Sequence, residues 1–466
     1  MSMHTKKNKQ QDEFATIPKI KGEGYKYPTI VAQATPVGTG GIGIIRISGD
    51  KVKKIILQIL GTELKPREAH LANFYNKNKE LIDSGLALYF PKPHSFTGED
   101  VLELHVHGSQ IVIDLLLRRI LELGAQLAEP GEFTKRAFLN NKIDLTQAEA
   151  ICDLITSSSE QAAFLATKSL QGEFAKYINA LLQELISLRI NVESAIDFTE
   201  EEIDFISQSQ IIEKVSGMLI TLKTIYQNAQ QGVLLQEGIN VVIAGEPNVG
   251  KSSLLNWFCG YDCAIVTPIP GTTRDVLREY INLDGLPLHI IDTAGLRHSS
   301  DQIEQEGIKR AWQEIEKADF IILLTDKDEI NLDVYQKTLN KIIVVRNKID
   351  LSNQSAAIIN KGRTDIIYVS IKTGEGLNLL KKYLKSKVGY NTKIEGKFIA
   401  RRRHLEALSK VEQFLIQARQ HADNQKILDL LAEDLRQAQN SLAEITGKFY
   451  TDDLLDKIFS TFCIGK

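Results

Sequence analysis

The chain is poor in several things, and each scarcity narrows its class. Its 466 residues include only four cysteines, Cys152, Cys259, Cys263 and Cys463, none paired at a zinc-ligand spacing. A zinc ribbon and a disulfide scaffold are therefore not expected, and a chain this long buries a core without either. No run approaches the about 18 consecutive apolar residues that a membrane helix requires. An excess of one charge is missing too. With a formal net charge of −3 there is no global basic field, so any nucleic acid must be met by a local patch or a partner. The first 28 residues hold six lysines but no apolar stretch, which excludes a secretory signal. The lack of arginine there, together with Asp12, Glu13 and Glu23, argues against a transit peptide. The expectation is a cytoplasmic protein with no membrane contact, of about three domains at ~150 residues each. A disordered extension is expected over residues 1–27.

What is present centres on residues 239–255, INVVIAGEPNVGKSSLL. The β-branched run Ile239, Val241, Val242 and Ile243 predicts a strand, and the Leu-rich segment after Ser252 predicts a helix. Between them Gly245, Gly250, Lys251 and Ser252 have the G-x-x-x-x-G-K-S spacing of a phosphate loop. Glycines let backbone N–H groups turn inward around phosphates, the Lys251 ammonium reaches the β and γ groups, and the Ser252 hydroxyl suits Mg²⁺. Asn248, Val249 and Ser253 complete the candidate phosphate-binding set.

Further nucleotide signals follow in order. IIDTAG is an apolar strand ending in Asp292, placed to support Mg²⁺ through water, with Thr293, Ala294 and Gly295 close to the γ-phosphate. IIVVRNKID ends a second apolar strand in Asn347, Lys348 and Asp350. The Asp350 carboxylate can accept from guanine N1–H and its exocyclic amine, an arrangement adenine lacks, while the Lys348 stem can cover the base. A third strand ends in Ser370, Ile371 and Lys372, whose backbone is suited to guanine O6. Between the phosphate loop and IIDTAG, IPGTTRD (269–275) reads as a loop whose Thr273 completes the Mg²⁺ shell, and Thr267, Pro268, Ile269, Pro270, Gly271, Thr272 and Thr273 are candidate nucleotide-binding residues. These features together imply binding of GTP and GDP. Leu296 follows DTAG, where many GTPases place a water-orienting glutamine, so another polar group must supply that role. Asp301, Glu304 and Glu306 follow it, and Arg274, Arg278 and Arg297 are candidate charge stabilisers. The residues alone do not choose among them.

Residues 28–148 read as a mixed α/β unit. The G-x-G-x-x-G at Gly38, Gly40 and Gly43 does not open a helix, since Ile42, Ile44, Ile45 and Ile47 continue as a strand. A hairpin is expected, not a dinucleotide turn. In VLELHVHG, His105 and His107 share a strand face without a third metal ligand in view. Arg136 and Lys142, before an amphipathic helix, read on charge alone as solvated surface. From about 149 the pattern is helical. Leu170, Phe174, Ile178, Leu181, Leu185, Leu188 and Val192 predict one long helix, and Ile211 to about Gln230 a second. The acidic segment 197–205 between them reads as a solvated turn. Helical patterning returns after about 390, where Arg401, Arg402 and Arg403 read as a solvated face. With no long Pro/Gly/Ser linker at either junction, the 237–388 block is expected to be inserted into a helical domain formed by 149–236 and 389–466. The terminal helix, with Leu454, Leu455, Ile458, Phe459 and Phe462, delivers Cys463, whose plain reading is a small buried hydrophobe.

TIVAQATP, SFTGEDVLELHVHG, PGEFTKRAFLNNKIDL, GEPNVGKSSLLN, GTTRDVLRE, LHIIDTAGLR and the terminal FCIGK together closely resemble the MnmE (TrmE) family of tRNA-modification GTPases. The resemblance runs from Tyr27 to Lys466. It implies a multidomain α/β plus all-α fold. A Ras-like P-loop GTPase domain is inserted into a helical domain, preceded by an α+β tetrahydrofolate-binding domain that also dimerises. It also implies a homodimer working with the FAD-dependent partner MnmG on C5 of tRNA wobble uridine. An aminomethyl or carboxymethylaminomethyl group is added there, the carbon coming from 5,10-methylene- or 5-formyl-tetrahydrofolate.

Residue by residue, the resemblance assigns folate contacts to Arg46, Glu103, Lys142 and Lys466 and a required thiol to Cys463. Asn248, Thr267, Ile269 and Thr272 correspond to a K⁺ site formed when two GTPase domains meet, and Glu304 to the residue that positions water. Leu296 is then expected. Ile371 departs from the usual alanine, at a position whose contact is through backbone. A ribosome-assembly GTPase shares the phosphate loop, DTAGL and NKID. It would need an RNA-binding appendage, and the G-x-x-G at Gly38–Gly41 lacks the basic surround for one.

Overall fold

The computed structural model describes residues 27–197, 208–260, 278–292, 313–327, 332–352, 354–360, 362, 364–390, 397–422, 428–448 and 452–465. The chain divides into two compact units, one of residues 1–152 with 439–466 and one of residues 153–438.

The first unit is built on a six-stranded sheet. Its elements are β1 (Ile30–Gln33), β2 (Ile42–Ser48), α1 (Val52–Leu60), β3 (His70–Tyr75), β4 (Leu81–Phe90), β5 (Val101–His107), α2 (Gln110–Glu122), β6 (Gln126–Leu127) and α3 (Glu132–Leu139). The strand order is β3-β4-β5-β2-β1-β6, antiparallel except for β1 with β6. Strand alternation sends Val31, Ile45, Ile47, Leu102 and Leu104 into the core. There they meet Ile55 and Ile59 of α1 and Leu116 and Ile120 of α2. The Gly38–Gly43 stretch joins antiparallel β1 and β2, as the hairpin reading expects. Arg136 departs from expectation: it is 2% exposed, and Glu99, Glu132 and the Pro28 carbonyl surround its guanidinium. Partners from distant segments make that burial tolerable, and no local pattern shows them.

After α4 (Leu145–Thr156) the helices begin: α5 (Glu160–Leu170), α6 (Glu173–Asp197) and α7 (Gln208–Glu237). Leu170 therefore closes α5 instead of opening the long helix. Gly172, at φ +85°, breaks the chain between them in a conformation that costs glycine little. α7 runs for 30 residues, longer than the apolar periodicity alone suggests.

Next comes a seven-stranded sheet of β7 (Ile239–Gly245), β8 (Arg278–Leu283), β9 (Leu286–Asp292), β10 (Phe320–Thr325), β11 (Ile342–Arg346), β12 (Ile358–Asn360) and β13 (Asp365–Tyr368). Interleaved with it are α8 (Lys251–Cys259) and α9 (Leu377–Lys387). The order is β12-β13-β11-β10-β7-β9-β8, with parallel central strands and antiparallel edges. Leu254 and Phe258 of α8 and Leu380 and Leu384 of α9 pack on one face. Ile315 and Ala318 pack on the other, so the central strands read as continuous apolar runs. Chain order reverses direction at β7, which places a ligand crevice at the carboxyl ends of β7 and β10.

Then α10 (Arg402–Ala422) packs along α7, so the sheet block is inserted between helices of one unit. Arg401 grips Asp153, which is 3% exposed, at 2.7 Å, and Arg402 meets Glu237 at 2.6 Å on the surface. The solvated-face reading therefore fails for Arg401. Last come α11 (Leu428–Thr446) and α12 (Asp452–Phe459). Leu455, Ile458, Phe459 and Phe462 pack against Phe138, Leu145 and Ala148 in the first unit. Cys463 is exposed, against its plain reading as a small buried hydrophobe, while its carbonyl accepts from the Gly131 N–H at 3.2 Å. Among the described residues no helix is long and apolar enough to cross a membrane.

Candidate functional site

The crevice at β7 is shaped by backbone that only glycine accepts. Gly245 sits at φ +148°, and a Cβ there would lie 2.2 Å from the Leu324 carbonyl oxygen of the neighbouring strand. Gly250 sits at φ +107°, where a Cβ would meet the Asn347 side-chain nitrogen at 2.6 Å. Between them Asn248 adopts φ +62° and Val249 is buried, so the loop turns tightly and delivers Lys251 as the first residue of α8. Lys251 Nζ donates to the Gly245 and Glu246 carbonyls at 2.8 and 2.9 Å, which holds the ammonium across the loop mouth. Ser252 and Ser253 stand exposed in the first turn of α8. A helix start presents N–H groups without intrahelical partners and the positive end of the dipole, the arrangement that receives phosphate.

The base-recognition end is fastened to the same loop. Asn347 is 5% exposed and bridges two segments. Its Nδ2 donates to the Val249 carbonyl at 2.7 Å, and its Oδ1 accepts from the Ile371 N–H at 3.0 Å. The Asn347 N–H donates to the Thr325 carbonyl at 2.8 Å, which continues the line of β10. Ser370 is fully buried and donates from Oγ to Asp350 Oδ1 at 2.7 Å, while accepting from the Thr373 N–H at 3.2 Å. One carboxylate oxygen of Asp350 is thereby fixed, which sets the plane of the group for a bidentate partner. Lys348 adopts φ +65°, and Lys372 is exposed at the end of the third strand. The structure thus brings together Gly245, Asn248, Val249, Gly250, Lys251, Asn347, Ile371 and, through the same loops, Asp350 and Ser370.

Mg²⁺ and K⁺ require oxygen donors. Ser252, the second residue of α8, carries a hydroxyl, and Asp292, the last residue of β9, pairs with Ile243 of β7, the strand that leads into the phosphate loop. Thr267, Pro268, Ile269, Pro270, Gly271, Thr272, Thr273, Thr293, Ala294, Gly295 and Glu304 lie outside the described residues, as does the Asp292 side chain. Asn248 is therefore the only described member of the expected K⁺ set.

In the first unit, Arg46 and Glu103 are register partners on β2 and β5, joined at 2.8 Å through both Nε and a terminal nitrogen. Arg46 also donates to the Gly465 carbonyl at 3.3 Å, so the C-terminal peptide reaches the same sheet face, and Phe133 lies 5.9 Å from the guanidinium. Lys142 instead donates to the Pro93 carbonyl at 3.0 Å, and Lys466 lies outside the described residues. His107 pairs with Asp83 at 2.8 Å and His105 stands 3.6 Å from Glu103. Among the described residues no group of three His, Cys, Asp or Glu is set to hold a metal.

Sequence reading missed the end of β10. Asp326 meets Lys348 at 2.7 Å, and Lys327 meets both Glu246 oxygens at 2.8 and 2.6 Å. The signal was present as adjacent opposite charges closing an apolar strand, but nothing local shows their partners.

Two family models cover the chain: that of the GTP-binding protein TrmE N-terminus matches residues 29–142, and that of the MnmE helical domain matches residues 145–463. A tRNA modification GTPase MnmE of Marinomonas sp. (strain MWYL1) is 52% identical over 448 residues, covering 94% of this chain and 98% of that relative. One from Legionella pneumophila (strain Paris) is 54% identical over 447 residues, covering 94% and 99%. One from Proteus mirabilis (strain HI4320) is 52% identical over 449 residues, with the same coverage. A phosphate loop stapled to a guanine-type recognition loop, inserted among helices and matched nearly end to end by these relatives, leads to one conclusion: the chain belongs to the MnmE (TrmE) family.

Proposed function

We propose that the chain is a GTP hydrolase of tRNA modification. With an FAD-dependent partner of the MnmG type, it acts at C5 of the wobble uridine in a homodimer-based complex in the cytoplasm. The observation that carries the nucleotide reading is the pair of hydrogen bonds by which Asn347 donates to the Val249 carbonyl and accepts from the Ile371 N–H, tying the phosphate loop to the base loop. Lys251 and the α8 N-terminus hold the phosphates, Asp350 reads the guanine edge and Ser252 with Thr273 serves Mg²⁺. Asn248, Thr267, Ile269 and Thr272 hold K⁺. When bound, the two ions supply positive charge to the transferring phosphoryl group. Glu304 orients the attacking water. Domain limits at 148, 236 and 388 separate the N-terminal, helical and GTPase parts. The Arg46–Glu103 pair beside the C-terminal peptide supports a tetrahydrofolate site, with Lys142 and Lys466 as further contacts.

Two experiments test this reading. Exchanging K⁺ for Na⁺ is expected to slow GTP hydrolysis at least tenfold, about 1.4 kcal/mol in barrier, and to weaken pairing of GTPase domains. Equal rates and equal pairing in both salts would remove the K⁺ assignment. In cells lacking the native gene, mass spectrometry of wobble uridines is expected to show the C5 modification restored by this chain and not by Cys463→Ser. Exposure of Cys463 makes that substitution mild for folding. Restoration by both would leave the thiol without a part in the reaction. Restoration by neither, with GTP hydrolysed and the cognate partner supplied, would favour a ribosome-assembly GTPase.

A further inference from the structure

β10 is followed at once by two adjacent residues of opposite charge, and each meets a different nucleotide loop. Asp326 Oδ2 lies 2.7 Å from Lys348 Nζ in the base loop. Lys327 Nζ lies 2.8 and 2.6 Å from the two carboxylate oxygens of Glu246 in the phosphate loop. The two contacts are unequal. Lys327 and Glu246 are 60% and 63% exposed at their side chains, so water screens them and little is gained. Asp326 and Lys348 are only 30% and 36% exposed. The Lys348 hydrogen bond holds the Asp326 carboxyl below the usual carboxylate range, so the carboxylate stays charged at neutral pH. Lys348 is also one of the few non-glycine residues at positive φ, at +65°. A backbone held there points its four-carbon stem in one direction, and a fixed ammonium removes the remaining freedom of that stem.

We propose that Asp326 is a positioning residue for guanine-nucleotide binding: it anchors the Lys348 ammonium at the end of β10 so that the lysine stem is pre-ordered as the lid over the base. Asp326 itself does not touch the nucleotide. A free lysine side chain would lose rotamer freedom each time the base docked, and the anchored one has already lost it on folding. This inference rests on the guanine-nucleotide reading and adds to it the residue that prepares its base site.

The test uses the full-length protein and a fluorescent N-methylanthraniloyl GDP. Asp326→Asn, which keeps shape and removes charge, is expected to weaken GDP binding about 5- to 20-fold, mostly through faster dissociation, as expected for charged hydrogen bonds at a partly exposed site. In hydrolysis the loss should appear in KM, with kcat at saturating GTP falling no more than about twofold. Lys348→Met should lose at least as much affinity, and adding Asp326→Asn to it should cost nothing more, since the acid acts only through the lysine. Lys327→Met should change affinity less than about threefold.

Affinity of Asp326→Asn within twofold of the parent would overturn the proposal. So would an equal loss in the Lys348→Met background, or a Lys327→Met defect as large as that of Asp326→Asn. If Asp326→Asn fails to fold, Lys348→Met reads the same contact from its other side, and unchanged GDP affinity there sinks the idea. Failure of the parent protein to bind the GDP probe would instead be a failure of the nucleotide reading itself.

Discussion

Asn347→Ala is expected to lower GTP and GDP affinity at least 100-fold while leaving a folded protein of reduced melting temperature. The side chain is 5% exposed and serves two groups, the Val249 carbonyl and the Ile371 N–H. Removing it leaves an acceptor and a donor poorly solvated, at about 1–3 kcal/mol each. It also frees the phosphate loop from the base loop. Since about 1.4 kcal/mol is tenfold in affinity, loss of both bonds accounts for the expected two orders of magnitude. Asn347→Asp is a sharper probe. It retains an acceptor for Ile371 but sets a carboxylate oxygen against the Val249 carbonyl, and should bind no better than alanine. Fluorescent GDP titration measures both, and affinity within threefold of the parent for Asn347→Ala would show that the loops do not need this tie. Gly250 reinforces the point from the opposite side, because its missing Cβ leaves the 2.6 Å approach that the asparagine amide occupies.

Arg136→Met is expected to destabilise the first unit by about 3 kcal/mol, the low end for breaking a buried ion pair, because the cation is buried and its two acids only partly so. The guanidinium is 2% exposed and donates to Glu99 at 2.9 Å, to Glu132 at 2.6 Å and to the Pro28 carbonyl at 2.8 Å. Glu99 also accepts from Ser48 Oγ at 2.7 Å, and Ser48 stands 2.7 Å from Thr97. The network therefore ties the end of β2, the loop before β5 and α3 to one cation. Methionine matches the stem but leaves two carboxylates, 18% and 20% exposed, without the counter-charge they share. Adding Glu99→Gln and Glu132→Gln should recover most of the loss, because repulsion and desolvation of unpaired charge are then gone. Urea unfolding monitored on the intact protein measures the series. A loss below about 1 kcal/mol for the single variant would mean that water replaces the cation at both acids.

Much of the fold and of the nucleotide site was legible in order along the chain. A strand of β-branched residues, four to six residues of glycine-rich loop and a helix start are decided by backbone freedom and side-chain period within a short window, so Gly245, Gly250, Lys251 and Ser252 sit as their spacing requires. NKID and SIK were legible for the same reason, each closing an apolar strand. The insertion of the sheet block between helices followed from where the period changed. Local windows failed at helix breaks and at charges. Leu170 fitted the next helix by period, yet Gly172 ended its own helix first.

By itself, then, the sequence determined the family, the order of domains and the identity of the phosphate and guanine motifs, because each is written in residue types a few positions apart. Only the tertiary structure decided which charges are buried and which loops are tied together. Asn347 and Val249 are 98 residues apart, Arg136 and Glu99 are 37 apart, and Lys348 and Asp326 are 22 apart. A lysine or arginine in a sequence carries the same charge wherever it stands. Whether that charge is solvated surface, the pin of a buried network or an anchored lid depends on which carboxylate the folded chain sets within 3 Å of it, and on how much water remains between them.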